Sequence, residues 1–154
     1  MFNIAFDNPK YAHNVGQIAR TAELCGAKHL ILCGDTTKIP PRPASDTAHS
    51  LERIRQDFPT AEDMIAHYHD LGWKIVGVEL DHNAIPLAEY QHEEHDVMYL
   101  FGSERDGLSQ QVMDLCDDLI VIPSDKPWSH NVSQAVGIVM GARMVDLARV
   151  TSFN

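Results

Sequence analysis

Short runs of β-branched and aromatic residues alternate along this chain with longer stretches whose apolar positions recur every three to four residues. The runs are FNIAF (2–6), HLILC (29–33), KIVGVEL (74–80), VMYLF (97–101) and LIVIP (119–123). Such alternation predicts an α/β fold: a mainly parallel sheet flanked by helices. Between the first two runs, Val15, Ile18, Ala19, Ala22 and Cys25 keep helical spacing and Gly26 stops the helix, so the chain opens as β-α-β. Thr60, ahead of Glu62 and Asp63, caps a helix over AEDMIAHYHDLG that ends at Gly72, and Ser109 opens QQVMDLC in the same way. The last helix, VSQAVGIVMGARMVDLARV, is apolar through its first half and is expected to be buried. Gly137 and Gly141 each cost about 1 kcal/mol relative to Ala inside a helix. Four apart, they share a face that permits close packing, against the sheet or against a second subunit. The Pro-rich connection GDTTKIPPRPASDTAHS has the length expected of a binding element or a mobile lid.

At 154 residues, the chain suits one domain spanning 1–154 with a core of its own. No run reaches the roughly eighteen apolar residues of a membrane span. Asp7 interrupts the N-terminus where a signal peptide would stay apolar, so a cytoplasmic protein with no membrane partner is expected. Three cysteines without a CxxC pair suit neither a disulfide framework nor a zinc knuckle. HEEH at 92–95 lacks the HExxH spacing, and His67 and His69 lie on different sides of a helix, so no metal is expected. Ser103 sits in FGSER rather than in GxSxG, which removes a serine hydrolase. The net charge of −10 argues against nonspecific phosphate binding. Yet residues 10–55 carry seven basic side chains against four acidic ones, while residues 75–104 carry seven acidic and none basic. This asymmetry fits a local basic face or simply two solvated faces of opposite sign.

Three polar clusters stand at strand-to-helix junctions, where open α/β sheets place their ligands. HNVGQIAR sets Asn14 and Arg20 around Gly16. LFGSERDGLS sends Gly102, Ser103, Glu104 and Gly107 off a strand end. SDKPWSHNVSQAVG gathers Ser129, His130, Asn131 and Ser133 ahead of the last helix. Taken singly, such residues are helix caps and tight turns. In this order and spacing they resemble the motifs of the SpoU, or TrmH-like, branch of the SPOUT RNA methyltransferases. The matches are Asn-x-Gly-x-x-x-Arg in NVGQIAR, Gly-Ser-Glu-x-x-Gly-Leu-Ser in GSERDGLS, and Ile-Pro followed by Ser-x-Asn-Val-Ser in IPSDKPWSHNVSQAVG.

The resemblance implies a sheet whose C-terminal part threads a trefoil knot, which periodicity does not show. It also implies methyl transfer from S-adenosylmethionine to a ribose 2′-hydroxyl of tRNA or rRNA, with tRNA favoured. Members act as homodimers in which the catalytic arginine often comes from the partner. By motif, the cofactor lies against the backbone of Leu100, Phe101, Gly102, Ile120, Ile122, Val132 and Ala135, an apolar slot with backbone donors and acceptors. The catalytic set is Arg20, Asn14, Glu104, Ser129 and Asn131. A free guanidinium holds its proton throughout the physiological range, so Arg20 is either perturbed to act as a base or stays charged and grips an RNA phosphate, and the charged role is favoured. Asn14 aligns Arg20, and Glu104 supports the network. Ser129 and Asn131 orient the ribose, the arginine or the methionine end of the cofactor. His130 replaces a common Leu or Met and reads as a tolerated exposed substitution. Asp46 stands near a substrate-loop Lys of the family, so Lys38 or Arg42 would take over substrate binding. Two other readings remain: a noncatalytic RNA- or protein-binding member of the fold, and a nucleotide-binding enzyme on a doubly wound sheet. The second requires a phosphate-cradling glycine loop after the first strand, and DNPKYAHNVG is not one.

Overall fold

The structure, a computed structural model, describes residues 1–151, with side chains to 148. The elements run β1 (Phe2–Asp7), α1 (Ala12–Leu24), β2 (Leu30–Cys33), α2 (Ser50–Ile54), β3 (Arg55–Phe58), α3 (Ala61–Asp70), β4 (Lys74–Val78), β5 (Ile85–Pro86), β6 (Val97–Phe101), α4 (Gln110–Leu115), β7 (Asp118–Val121) and α5 (Val132–Thr151). One seven-stranded sheet has the order β3-β2-β1-β6-β4-β7-β5, with every pairing parallel. All five expected strands are present. Pattern alone did not reveal β3, β5 or α2. β3 is the polar run RQDF on a sheet edge, paired only with β2, and β5 is two residues long.

Side chains of a strand alternate between faces, and this period of two assigns the layers. Ile4, Phe6, Tyr99 and Phe101 face α1 and α5 across the larger core, with Val15, Ile18, Val136, Val139 and Met140. Ala5, Met98 and Leu100 face the opposite way, onto Met64, Ile65 and Tyr68 of α3 and Val112 of α4. The predicted helix ends hold. Thr60 Oγ1 accepts from Asp63 N at 3.0 Å, and Ser109 Oγ accepts from Val112 N at 3.2 Å. Gly26 and Gly72, at φ of 83° and 80°, close α1 and α3 in the left-handed region that glycine adopts without penalty.

Two expectations change. α5 buries only one face; Gln134, Gly137, Ile138, Gly141, Met144 and Val145 form an outward stripe at helical spacing, and a Cβ added at either glycine would meet open space. Its apolar first half therefore reflects two apolar faces rather than full burial, and the glycines do not pack on the sheet. The Pro-rich connection is a pinned loop rather than a free lid. Ser45 Oγ donates to His13 O at 2.7 Å, and Gly16 has no Cβ to push away Pro43 and Asp46. Asp46 is buried and its carboxylate accepts from Ser50 N (3.0 Å) and Leu51 N (2.8 Å), starting α2. Its acid is a structural cap, not a displaced substrate contact. Among the described residues, no helix is long and apolar enough to cross a membrane.

Asp7 closes β1 almost fully buried, with Asn8 Nδ2 donating to its Oδ1 at 3.2 Å. Burial, and then the nearby Glu62 carboxylate, push its pKa up to about 6, against roughly 3.9 in an unfolded chain. The folded state thus holds this proton more tightly, so the Asp7 contribution to stability is full below about pH 4 and is lost as pH rises through 6. Asp7→Asn is expected to leave stability nearly unchanged at pH 4 and to raise it by about 3 kcal/mol at pH 8. Urea unfolding of both proteins at the two pH values checks this; an equal effect at both would mean that Asp7 ionises as freely folded as unfolded.

Candidate active site

A cavity of about 300 Å³ opens at the carboxyl ends of β4, β6 and β7. Its walls are apolar where Val78, Phe101, Ile122, Val132 and Ala135 meet, and its rim is polar with Glu79, Glu104, Ser129, His130 and Asn131. The wall after β6 exists because the chain doubles back tightly. Ser103 and Gly107 form an antiparallel bridge, and a Cβ on Gly102 would run into the Gly107 carbonyl carbon and Leu108 N. Gly107 has φ of 64° and packs directly on the Glu79 carboxylate. That carboxylate accepts from Leu80 N (2.8 Å) and Leu108 N (2.7 Å), tying the turn to the end of β4.

One chain of hydrogen bonds joins the three polar clusters. Glu104 Oε2 accepts from Lys10 N at 2.9 Å, and its Oε1 accepts from Tyr11 N at 3.2 Å and from Asn14 Nδ2 at 3.0 Å. The Asn14 carbonyl oxygen, oriented by that donation, accepts from Asn131 Nδ2 at 3.4 Å. Asn131 Oδ1 in turn accepts from Ser133 N at 2.9 Å, and Asn131 O from Ala135 N at 2.9 Å, so the same residue starts α5. The Ser133 hydroxyl lies 2.7 Å from Asn131 Oδ1 and 2.8 Å from Gln17 Oε1, linking α5 to α1.

Of the residues expected at the site, Phe101, Gly102, Ile122, Val132, Ala135, Glu104, Ser129 and Asn131 line the cavity, and Asn14 reaches it through Glu104 and Asn131. Leu100 and Ile120 do not. Leu100 points into the α3/α4 layer because it is one residue out of phase with Phe101, and the Ile120 side chain is fully buried in the other core. Only their backbone remains for a ligand. Arg20 lines a second cavity of about 640 Å³ with Asn14, Gln17, Ser133 and Asn131, so Asn131 stands between the two. Arg20 is exposed and forms no ion pair among the described residues. Lys38 and Arg42 line neither cavity, and Arg42 is paired with Glu52 at 2.7 Å. With Arg53 on Glu23 and Arg55 on Asp57, three of the basic side chains of 10–55 are neutralised locally. Sequence reasoning missed Glu79; an acid leaving a strand at the carboxyl edge of the sheet was its signal.

The cavity fits a cofactor with an adenosyl group in kind as well as size, since small-molecule sites begin near about 300 Å³ and are mostly apolar with a few fixed polar groups. At Gly102 the cavity wall is backbone. The model of the SpoU rRNA Methylase family matches residues 1–141. The chain belongs to that family. Over 154 aligned residues it is 27% identical to the tRNA (cytidine-2′-O-)-methyltransferase TrmJ of Methanocaldococcus jannaschii, covering 91% of this chain and 66% of that one. The tRNA (guanosine(18)-2′-O)-methyltransferase of Escherichia coli is 30% identical, covering 83% and 56%. A crystal structure of an AdoMet-bound rRNA methyltransferase from Sinorhizobium meliloti superposes with a TM-score of 0.80 at 27% identity, covering 95% of this chain and 56% of that one. This SpoU-family chain thus spans just under two thirds and just over half of the two curated relatives.

Three donors on one carboxylate make Glu104 the tie of the site. Glu104→Ala is expected to cost about 2 kcal/mol and to accelerate hydrogen exchange at the Lys10 and Tyr11 amides. Unchanged exchange at those two amides would show that other contacts hold the segment.

Proposed function

We propose that this SpoU-family protein transfers a methyl group from S-adenosylmethionine to a ribose 2′-hydroxyl of tRNA or rRNA. The observation that carries the reading is the Glu104–Asn14–Asn131 chain, which ties the first motif by hydrogen bonds to the second and third at the rim of one apolar cavity. When bound there, S-adenosylmethionine supplies an electrophilic methyl on a sulfonium centre. Phe101, Ile122, Val132 and Ala135 would hold its apolar parts, with Gly102 leaving backbone exposed to it. Ser129, whose hydroxyl has no partner among the described residues, and Asn131 would orient the ribose at the rim. Arg20, without an ion pair among the described residues and on the far side of Asn131, keeps its charge and grips an RNA phosphate beside the reacting hydroxyl. Holding ribose and methyl donor in line then supplies much of the rate.

The same proposal includes a homodimer with shared sites. Arg20 does not line the cavity of its own chain. The α5 stripe of Gly137, Ile138, Gly141, Met144 and Val145 is apolar and uncovered, as is Leu24 at the end of α1 with 80% exposure. A second copy covers both and brings its own Arg20 toward the site. The trefoil threading, a single catalytic domain over 1–154 and a cytoplasmic location complete the reading. It is supported by the return of 129–135 to the β6 edge after β7, and by three free cysteines.

Calorimetric titration with S-adenosylmethionine is expected to show one site per chain, and tritiated methyl to pass to bulk tRNA or rRNA. Arg20→Ala should lower transfer by about a hundredfold with cofactor affinity unchanged. No heat of cofactor binding would sink the enzyme reading, and full activity in Arg20→Ala would remove that residue from the chemistry. In sedimentation, the wild type is expected as a dimer and Gly141→Arg as a monomer; a monomeric wild type would refute the shared site.

A further inference from the structure

Trp128 is 66% exposed, one residue ahead of Ser129 and two ahead of His130, both on the cavity rim. Its ring makes no aromatic contact with any other described residue. The chain's other tryptophan, Trp73, by contrast packs edge-on against Tyr68 at 5.1 Å. Every residue from Pro123 to Asn131 is exposed, and Pro127, with its own φ fixed by its ring, narrows the conformations of the segment that would be lost on binding. Among the described residues the indole has no ring contact to give up, so it is free to meet a flat partner.

We infer that Trp128 is a stacking platform for an unpaired RNA base next to the methylated ribose, an inference that rests on the proposed activity. A ribose held by Ser129 and Asn131 carries its base outward over the same segment. Sequence-specific RNA recognition mostly takes single-stranded loops whose bases are splayed out, and an aromatic face restores the stacking such a base has lost. The indole accepts any base, so it adds affinity without choosing sequence. Lys126, exposed in the same segment, adds a charge for the adjoining phosphate. Charge points the same way. A chain of net charge −10 gains little from neutralising phosphates, so base contacts carry a larger share of its RNA affinity.

The test compares wild type with Trp128→Ala and Trp128→Phe, using bulk tRNA and rRNA as the probes. Trp128→Ala should raise KM for RNA about tenfold, equivalent to about 1.4 kcal/mol and within the range for one base on an aromatic ring. Its kcat should stay within about twofold and its S-adenosylmethionine affinity unchanged, and Trp128→Phe should recover most of the loss. RNA should quench wild-type tryptophan emission far more than that of Trp128→Phe, with a shallow dependence on salt. An unchanged KM in Trp128→Ala together with unquenched emission overturns the platform while leaving the methyltransferase reading intact. A monomeric Trp128→Ala assigns the ring to the contact between copies and also overturns it. Should the wild type transfer methyl to neither RNA, the activity reading fails, and the quenching alone then decides whether Trp128 meets a base.

Discussion

The carboxylate of Glu104 is the interaction on which the site depends. It stands after β6, in the middle of the sheet, and collects the backbone of Lys10 and Tyr11 and the amide of Asn14. An ionised carboxylate accepts on both oxygens, which a neutral side chain of the same reach cannot do as strongly. Because one amide hydrogen of Asn14 is committed to Glu104, its oxygen is turned to meet Asn131. The start of α5, through Asn131, is therefore tied to Asn14, 117 residues upstream.

Around that tie, period-two alternation divides labour along a single strand. In β6, Tyr99 and Phe101 serve the α1/α5 layer, and Met98 and Leu100 the α3/α4 layer. Only the last residue on the first face, Phe101, emerges at the strand end where the cavity begins. Gly102 follows at once, so the chain can double back where a Cβ would collide with the Gly107–Leu108 backbone. Glu79 then ties the turn to β4, and the cavity wall is rigid because it belongs to two strands of one parallel sheet.

α5 carries two consequences of one composition. Its inner face of Val132, Val136, Val139 and Met140 completes the core, while the outer stripe with Gly137 and Gly141 is exposed among the described residues. A proposed second copy and the placement of Arg20 outside its own cavity are thus two sides of the same geometry. Three arginines near the Pro-rich loop are already paired, whereas Arg20 has no ion pair among the described residues.

The sequence by itself determined the α/β class, five of the seven strands, the caps at Thr60 and Ser109, and the order of three polar motifs. These are legible because period, capping and glycine stops are local, acting within a few residues. Edge strand β3 was hidden by its polarity, since an edge needs no apolar pattern to pair. Only the tertiary structure decided which motif residues meet. It joined Asn14, Glu104 and Asn131, turned Leu100 and Ile120 into the core, recruited Glu79, and spent Asp46 and Arg42 on caps and ion pairs. Those outcomes follow from strand register and from partners up to 117 residues apart, which no local pattern encodes.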